Sequence, residues 1–324
     1  MNPLHVANGH ATTALIEQSG LRGRTQVWCD PLNEGPVPGN VSDDELLMIR
    51  ARFLASTDDA TDVASDLKRW RDAVDDESAY DELVLWFEHD LFDQLNLIQL
   101  LTHLGGRPRS KPVTLICIDR YPGHPHFKGI GELEPRDIEI LFTARRPVTT
   151  EQMELAASAW SAFRSPDPRA IEELLRDDTS ALPFLAPALA RHLEEFPSDA
   201  DGLSRSERRM MEQALDGPAP IHTAFPRMHD GETAYYIADS WFADRVRELS
   251  SASPALVELS ITSNRAAALP AGTIALTKAG RDVLGGGADR IQLCGIDRWL
   301  GGVHVQGQGP AWRWSARSGR LIEA

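Results

Sequence analysis

The chain has 324 residues, 42% apolar and 25% charged, the proportions of an ordinary soluble globular protein with room for two or three domains. No apolar run approaches the roughly 18 residues that span a bilayer. The start, Met1-Asn2-Pro3-Leu4-His5, lacks the basic and apolar regions of a signal peptide. The expectation is therefore a cytoplasmic protein with no membrane partner. Net charge is −15 and unevenly spread: residues 203–324 carry 14 basic and 13 acidic groups, which leaves 19 basic and 35 acidic for the residues before them. So acidic an N-terminal part repels nucleic acid. Cys29, Cys117 and Cys294 are far apart without a CxxC pair, which argues against a disulfide framework or a zinc knuckle; Cys29 and Cys117, at strand ends, read as buried thiols first and as nucleophiles second.

Taken in chain order, the first strand signal is Leu4–Ala7, followed by a short helix over Ala11–Ser19 closed by Gly20. A second strand, Thr25–Trp28, runs into a loop with Pro31, Gly35, Pro36, Pro38 and Gly39, too many breakers for regular structure. Ser42 and Glu45 read as a capping box opening a helix to about Ala55. A further helix is predicted from Asp58 to Ala73, with Val63, Leu67 and Trp70 on one stripe. The third strand, Leu83–Phe87, is continuously apolar, as in parallel strands buried on both faces. A strong amphipathic helix, Asp90–Leu104, ends at Gly105-Gly106, and Val113–Ile118 supplies a fourth strand. This alternation predicts parallel strands joined by right-handed crossovers.

Residues 120–131 form a loop rich in Pro, His and Gly. Beyond it the reading is helical to Phe196, most clearly over Glu151–Phe163, Arg169–Arg176 and Leu185–Glu195, with Pro197–Gly202 as linker. The last part changes rhythm. Helices are predicted over Ser204–Leu215, from a capping box of Ser204 and Glu207, and over Ala238–Leu249. Strand signals follow at Leu256–Ile261 and Thr273–Leu276, then a helix over Thr277–Leu284 and short strands from Arg290 to Ile322. The expected architecture is α/β: a Rossmann-like parallel sheet over residues 1–132, a helical region over 133–200, and a small α+β, winged-helix-like domain over 203–324.

All four N-terminal strands end in polar residues. If they are parallel, these tails meet at the edge where open α/β sheets bind ligands. Glu88, His89 and Asp90, with Asp93 a turn further on, join Asp30 and Glu34 as candidates for acid–base chemistry or a divalent metal, although no recognised ligand spacing is met. Asp90 also reads as a plain helix cap. Asn8, Gly9, His10 and Thr12 occupy the first βα turn, where a helix N-terminus favours anions, but neither GxGxxG nor GxxxxGK[ST] is present. Asp119 and Arg120 close the row of ligand-binding candidates. His124 and His126 lie in a loop able to cover the crevice, although exposed loop histidines are common. Neither a Gly-x-Ser-x-Gly elbow nor HExxH occurs. Near the C-terminus, Trp299, Trp312 and Trp314 interleave with Arg290, Arg298, Arg313, Arg317 and Arg320, either to stack on nucleic acid or as core tryptophans beside exposed arginines.

Three segments resemble the bacterial family built on the domain of unknown function 1835. They are His5-Val6-Ala7-Asn8-Gly9, Asp30-Pro31-Leu32-Asn33-Glu34-Gly35-Pro36-Val37, and Leu85-Trp86-Phe87-Glu88-His89-Asp90-Leu91-Phe92-Asp93-Gln94-Leu95. The resemblance covers roughly residues 3–120. Leu276–Gly280 and Arg298–His304 are similar to segments that accompany this domain in some members. The family commonly has Asp where this chain has His10. The resemblance implies an α/β domain with a shared site; it does not specify a reaction, cofactor or metal. Two functions stay open: an enzyme acting on a small anionic, nucleotide-like ligand, and a ligand-sensing regulator whose C-terminal domain binds nucleic acid or a protein.

Overall fold

Residues 2–55, 60–263 and 269–323 are described by the computed structural model. They divide into two units, Met1–Leu189 with Trp299–Val303, and Ala190–Arg298 with His304–Ala324.

The first unit opens with β1 (Leu4–Ala7), α1 (His10–Gln18), β2 (Arg24–Val27), α2 (Asp43–Leu54) and α3 (Ala60–Asp75). The predicted start of α3 at Asp58 lies outside the described residues. Next come β3 (Leu83–Glu88), α4 (Leu91–Gly105), β4 (Val113–Ile118), α5 (Pro135–Thr143) and β5 (Arg146–Pro147), then α6 (Thr150–Phe163), α7 (Arg169–Leu174) and α8 (Leu185–Leu193). The strands form one sheet in the order β2-β1-β3-β4-β5. The first four are parallel, as their alternation with helices predicts, and β5 joins β4 antiparallel.

Every residue of β1 and β3 is buried, because both strands are covered on both faces. On one face Ala7, Val84, Trp86 and Ile116 pack with Ile16 of α1, Ile138 and Leu141 of α5, and Phe127, Ile130 and Leu133 from the loop after β4. On the other, α4 packs against β3 and α6 against α4. Two sequence signals set the helix starts: the Ser42–Glu45 box caps α2, and the Asp90 carboxylate accepts from Asp93 N at 2.9 Å to cap α4. The order β2-β1-β3-β4 puts the topological switch point between β1 and β3, the position where open parallel sheets bind ligands.

The second unit begins with α9 (Arg205–Glu212), held by the expected Ser204–Glu207 box. Then follow β6 (Ala219–Pro220), α10 (Ile221–Arg227), α11 (Asp239–Ser251), β7 (Val257–Ser263), β8 (Ala271–Leu276), α12 (Lys278–Leu284) and α13 (Arg290–Cys294). β6, β8 and β7, in that order, make an antiparallel sheet. β11 (Trp312–Ser315) runs antiparallel to β12 (Arg320–Glu323); β9 (Ile296–Leu300) pairs with β10 (Val303–Gly307), with Trp299, Leu300 and Val303 of these two strands counted in the first unit.

The arginines of the tail differ from both sequence readings. Arg290 and Arg313 are buried, and the Arg298 side chain is 9% exposed. Arg298 and Arg290 approach Glu207 at 2.7 and 3.3 Å, and Arg290 reaches Glu248 at 2.6 Å. Arg313 pairs with Asp289 at 2.9 Å. Burial without a partner is costly for a charge, so each of these cations is drawn inward by a carboxylate. Arg317 and Arg320 remain exposed. Among the described residues no helix is long and apolar enough to cross a membrane.

Candidate functional site

β1 delivers Asn8 and Gly9 to the strand edge. Gly9 precedes α1 in an extended conformation, and no side chain caps that helix. The first amides of α1 thus keep the unsatisfied hydrogen-bonding capacity of a helix N-terminus. Space is open where a Cβ on Gly9 would lie. His10 is the first residue of α1 and is exposed. Thr12 turns back, and its hydroxyl donates to Asn8 Oδ1 at 3.0 Å.

That bond orients the Asn8 amide. Its Nδ2 donates to Glu88 Oε2 at 3.0 Å and to Asp93 Oδ2 at 2.9 Å, joining β1 to the end of β3 and the first turn of α4. Asp93 Oδ1 accepts from Glu88 N at 2.7 Å. The other Glu88 oxygen accepts from Ile130 N at 2.6 Å, in the loop after β4. This loop lies so close that a Cβ on Gly129 would fall 2.7 Å from Glu88 Oε2. Gln94 Nε2 donates to Glu88 O at 2.6 Å, and the Cys117 thiol lies 3.4 Å from the same oxygen.

Among the described residues no cation takes part in this set of bonds. Burial raises the Glu88 carboxyl to about 8, against the lowering pull of the Ile130 and Asn8 donors, and Asp90 pushes it the same way as burial. Burial also lifts Asp93 well above the usual carboxylate range, reinforced by Glu88 and Asp90. Burial and mutual repulsion thus favour a proton on the Glu88–Asp93 pair, the state from which a carboxyl can serve acid–base chemistry. Cys117, expected as a buried thiol, is half-buried, as is Cys29, and burial and the nearby carboxylates push the Cys117 thiol up so that it stays protonated.

Asn8, Thr12, Glu88 and Asp93 are thus gathered into one network, with Asp90 at the adjoining helix cap. Asp30 is not part of it. Arg50 of α2, fully buried, approaches Asp30 Oδ1 at 2.6 Å. The same guanidinium donates to Glu34 O at 2.6 Å and Pro31 O at 3.0 Å. Asp30 thereby serves as the counter-ion that fixes its own loop, and Glu34 contributes its carbonyl to that clamp. His89 is buried, its ring edge-on to Phe184 with centroids 6.2 Å apart. Asp119 and Arg120 pair with each other at 3.2 Å, the arginine largely exposed. His124 packs its ring on Tyr121, and His126 is exposed. Among the described residues no three His, Cys, Asp or Glu side chains are disposed to hold a metal ion.

Sequence reading missed Arg50, Gln94 and Ile130. Arg50 sits in a helix that reads as solvated, and the Ile130 contribution is a backbone amide, which leaves no signature in residue type. Gln94 alone carried a signal, one helical turn after the cap Asp90 and so on the same side of α4.

No family model matches the chain, and no curated protein matches it. Among solved structures, the DNA-binding, cleavage and re-ligation domain of Plasmodium falciparum topoisomerase II aligns with 87% of this chain at 10% identity and a TM-score of 0.47. The chain spans about half of that structure, 48% of its length.

Proposed function

We propose that the first unit binds a small anionic, nucleotide-like ligand beyond the ends of β1 and β3, and that Glu88 exchanges a proton with it. The observation that carries this reading is a buried Glu88 carboxyl held by the Asn8 amide and the Ile130 backbone amide, with an uncapped helix N-terminus on the neighbouring strand and at the switch point of a parallel sheet. A neutral Glu88 does not repel an anion, whereas the amides of α1 attract one. Asn8 holds Glu88 in place, and the open space over Gly9 lets a ligand approach the backbone. Asp30 and Glu34 are left out of the reacting set because Arg50 engages their loop. The resemblance to the domain of unknown function 1835 agrees with this location, since its segments carry Asn8, Gly9, Glu88 and Asp93.

A second reading is supported by the order of elements in the second unit. We read α9-β6-α10-α11-β7-β8, with its antiparallel β6-β8-β7 sheet, as winged-helix-like. On α11, Arg247 pairs with Asp244 and Arg245 with Glu248, which favours a protein partner over nucleic acid. In this reading the chain is a ligand-sensing regulator.

A melting screen of the intact protein tests both, because a specific ligand raises stability by mass action. Nucleoside phosphates should raise the Tm of the wild type, and Gly9→Ala should weaken that rise without changing the unliganded Tm by more than a few degrees. Wild type unresponsive to every nucleoside phosphate and to inorganic phosphate would remove the first reading. A salt-sensitive rise with duplex DNA would restore nucleic acid as the partner of the second.

A further inference from the structure

The first unit contains a cleft away from the Asn8–Glu88 network, on the α4 face of the sheet. Its floor is Leu115 and Cys117 of β4 with Leu97 of α4, and Leu182, Pro183 and Phe184 close it from the side. It measures about 180 Å³, against the roughly 150 Å³ at which a protein cavity takes up one benzene ring.

Its polar groups are unequal. Gln152 is engaged at both ends: its Nε2 donates to Ala181 O at 3.1 Å and its Oε1 accepts from Thr149 N at 3.0 Å. Gln94 donates to Glu88 O and to the Cys117 sulfur. Arg146 also lines the cleft, and among the described residues its guanidinium takes part in no ion pair or side-chain hydrogen bond. β5 sets it there, since Arg146 lies opposite Leu115 in the antiparallel register. Among the described residues no acidic side chain lines the cleft. One unpaired cation at the rim of an apolar pocket is complementary to a ligand with one anionic group on a compact apolar body. The fork of the guanidinium matches a carboxylate through two parallel bonds.

We propose that this cleft is a second binding site, for a small aromatic carboxylate whose ring lies among Leu97, Leu115, Leu182 and Phe184 and whose carboxylate meets Arg146. Such a ligand would reach Gln94 and Cys117, the two side chains on the Glu88 carbonyl, and so lie back to back with the strand-edge site.

Calorimetric titration of the intact protein with benzoate, benzamide and acetate tests this. Benzoate should bind saturably and about tenfold more tightly than benzamide, which has the ring without the charge, or acetate, which has the charge without the ring. Arg146→Gln should bring benzoate down to the level of benzamide. Arg146 is exposed, so the variant should melt as the wild type does. Equal affinity for benzoate and benzamide, or unchanged benzoate binding in Arg146→Gln, would overturn the proposal. Gly9→Ala, which probes the strand-edge ligand, should leave benzoate binding intact. Loss of benzoate binding in that variant alone would place the probe at the strand edge and end the case for this cleft, without touching the first reading of function.

Discussion

Glu88 and Asp93 in the first unit and Glu207 in the second are all buried, yet they are held in opposite charge states. Arg298 and Arg290 face Glu207, and their charges pull it down to about 2 despite burial. Glu88 and Asp93 have amide donors only, and burial prevails. Amide hydrogen bonds stabilise a carboxylate less than a facing guanidinium does, so the identity of the partner decides the charge. Fully paired ions of the second kind hold a fold together. A carboxyl left without a cation at a strand edge is the one with chemistry to offer.

Replacing one side of the comparison should have the largest effect. Arg298→Leu leaves Glu207 buried beside Arg290 alone and should cost about 3 kcal/mol in urea unfolding, as for other buried pairs broken on one side. A loss under about 1 kcal/mol would mean that Arg290 suffices and the network is redundant.

The pH dependence should be of opposite sign in the two units. Glu88 titrates near 4.5 in the unfolded chain and about 8 in the native one. Between these values the native state holds the extra proton, so stability falls as pH rises, by at most about 1.4 kcal/mol per pH unit. Glu207, at about 2 when folded, contributes stability that is present above 4.5 and lost as pH falls towards 2. Above about 6.5, where the buried His5 and His192 are neutral in both states, unfolding measured up to pH 8 should therefore slope downward in the wild type and less steeply in Glu88→Gln, with Asp93 retaining part of the slope. Parallel slopes would show that Glu88 is ionised throughout.

The smallest change expected is Thr12→Val. It removes the bond that orients Asn8 and should cost about 1 kcal/mol in thermal unfolding.

How far the sequence foretold this arrangement depended on whether a feature is local. β1, β3 and β4 were legible because buried strands are mainly apolar, while β2, with only Val27 buried, was legible from the short run Thr25–Trp28 before a loop of breakers, and the caps at Ser42, Asp90 and Ser204 were legible because capping requires particular residues at fixed spacing. β5 was not: two exposed residues, Arg146 and Pro147, carry no periodicity. The meeting of Asn8 with Glu88 followed from strand order, but Asp30 reads like Glu88 in sequence. Only the fold brings Arg50, twenty residues on, to one of them and leaves the other without a cation. The inward turn of Arg290 and Arg298 was hidden for the same reason, since nothing local distinguishes a paired buried arginine from a solvated one.

The brevity of β5 bears on how molecules of this protein meet one another. A sheet margin with free amides and carbonyls can recruit a strand from a neighbouring chain and seed fibrils. At this margin the outermost strand has two residues, and Pro147 has no amide hydrogen to offer. A visiting strand finds almost no ladder to extend, so this side of the sheet is guarded against self-association.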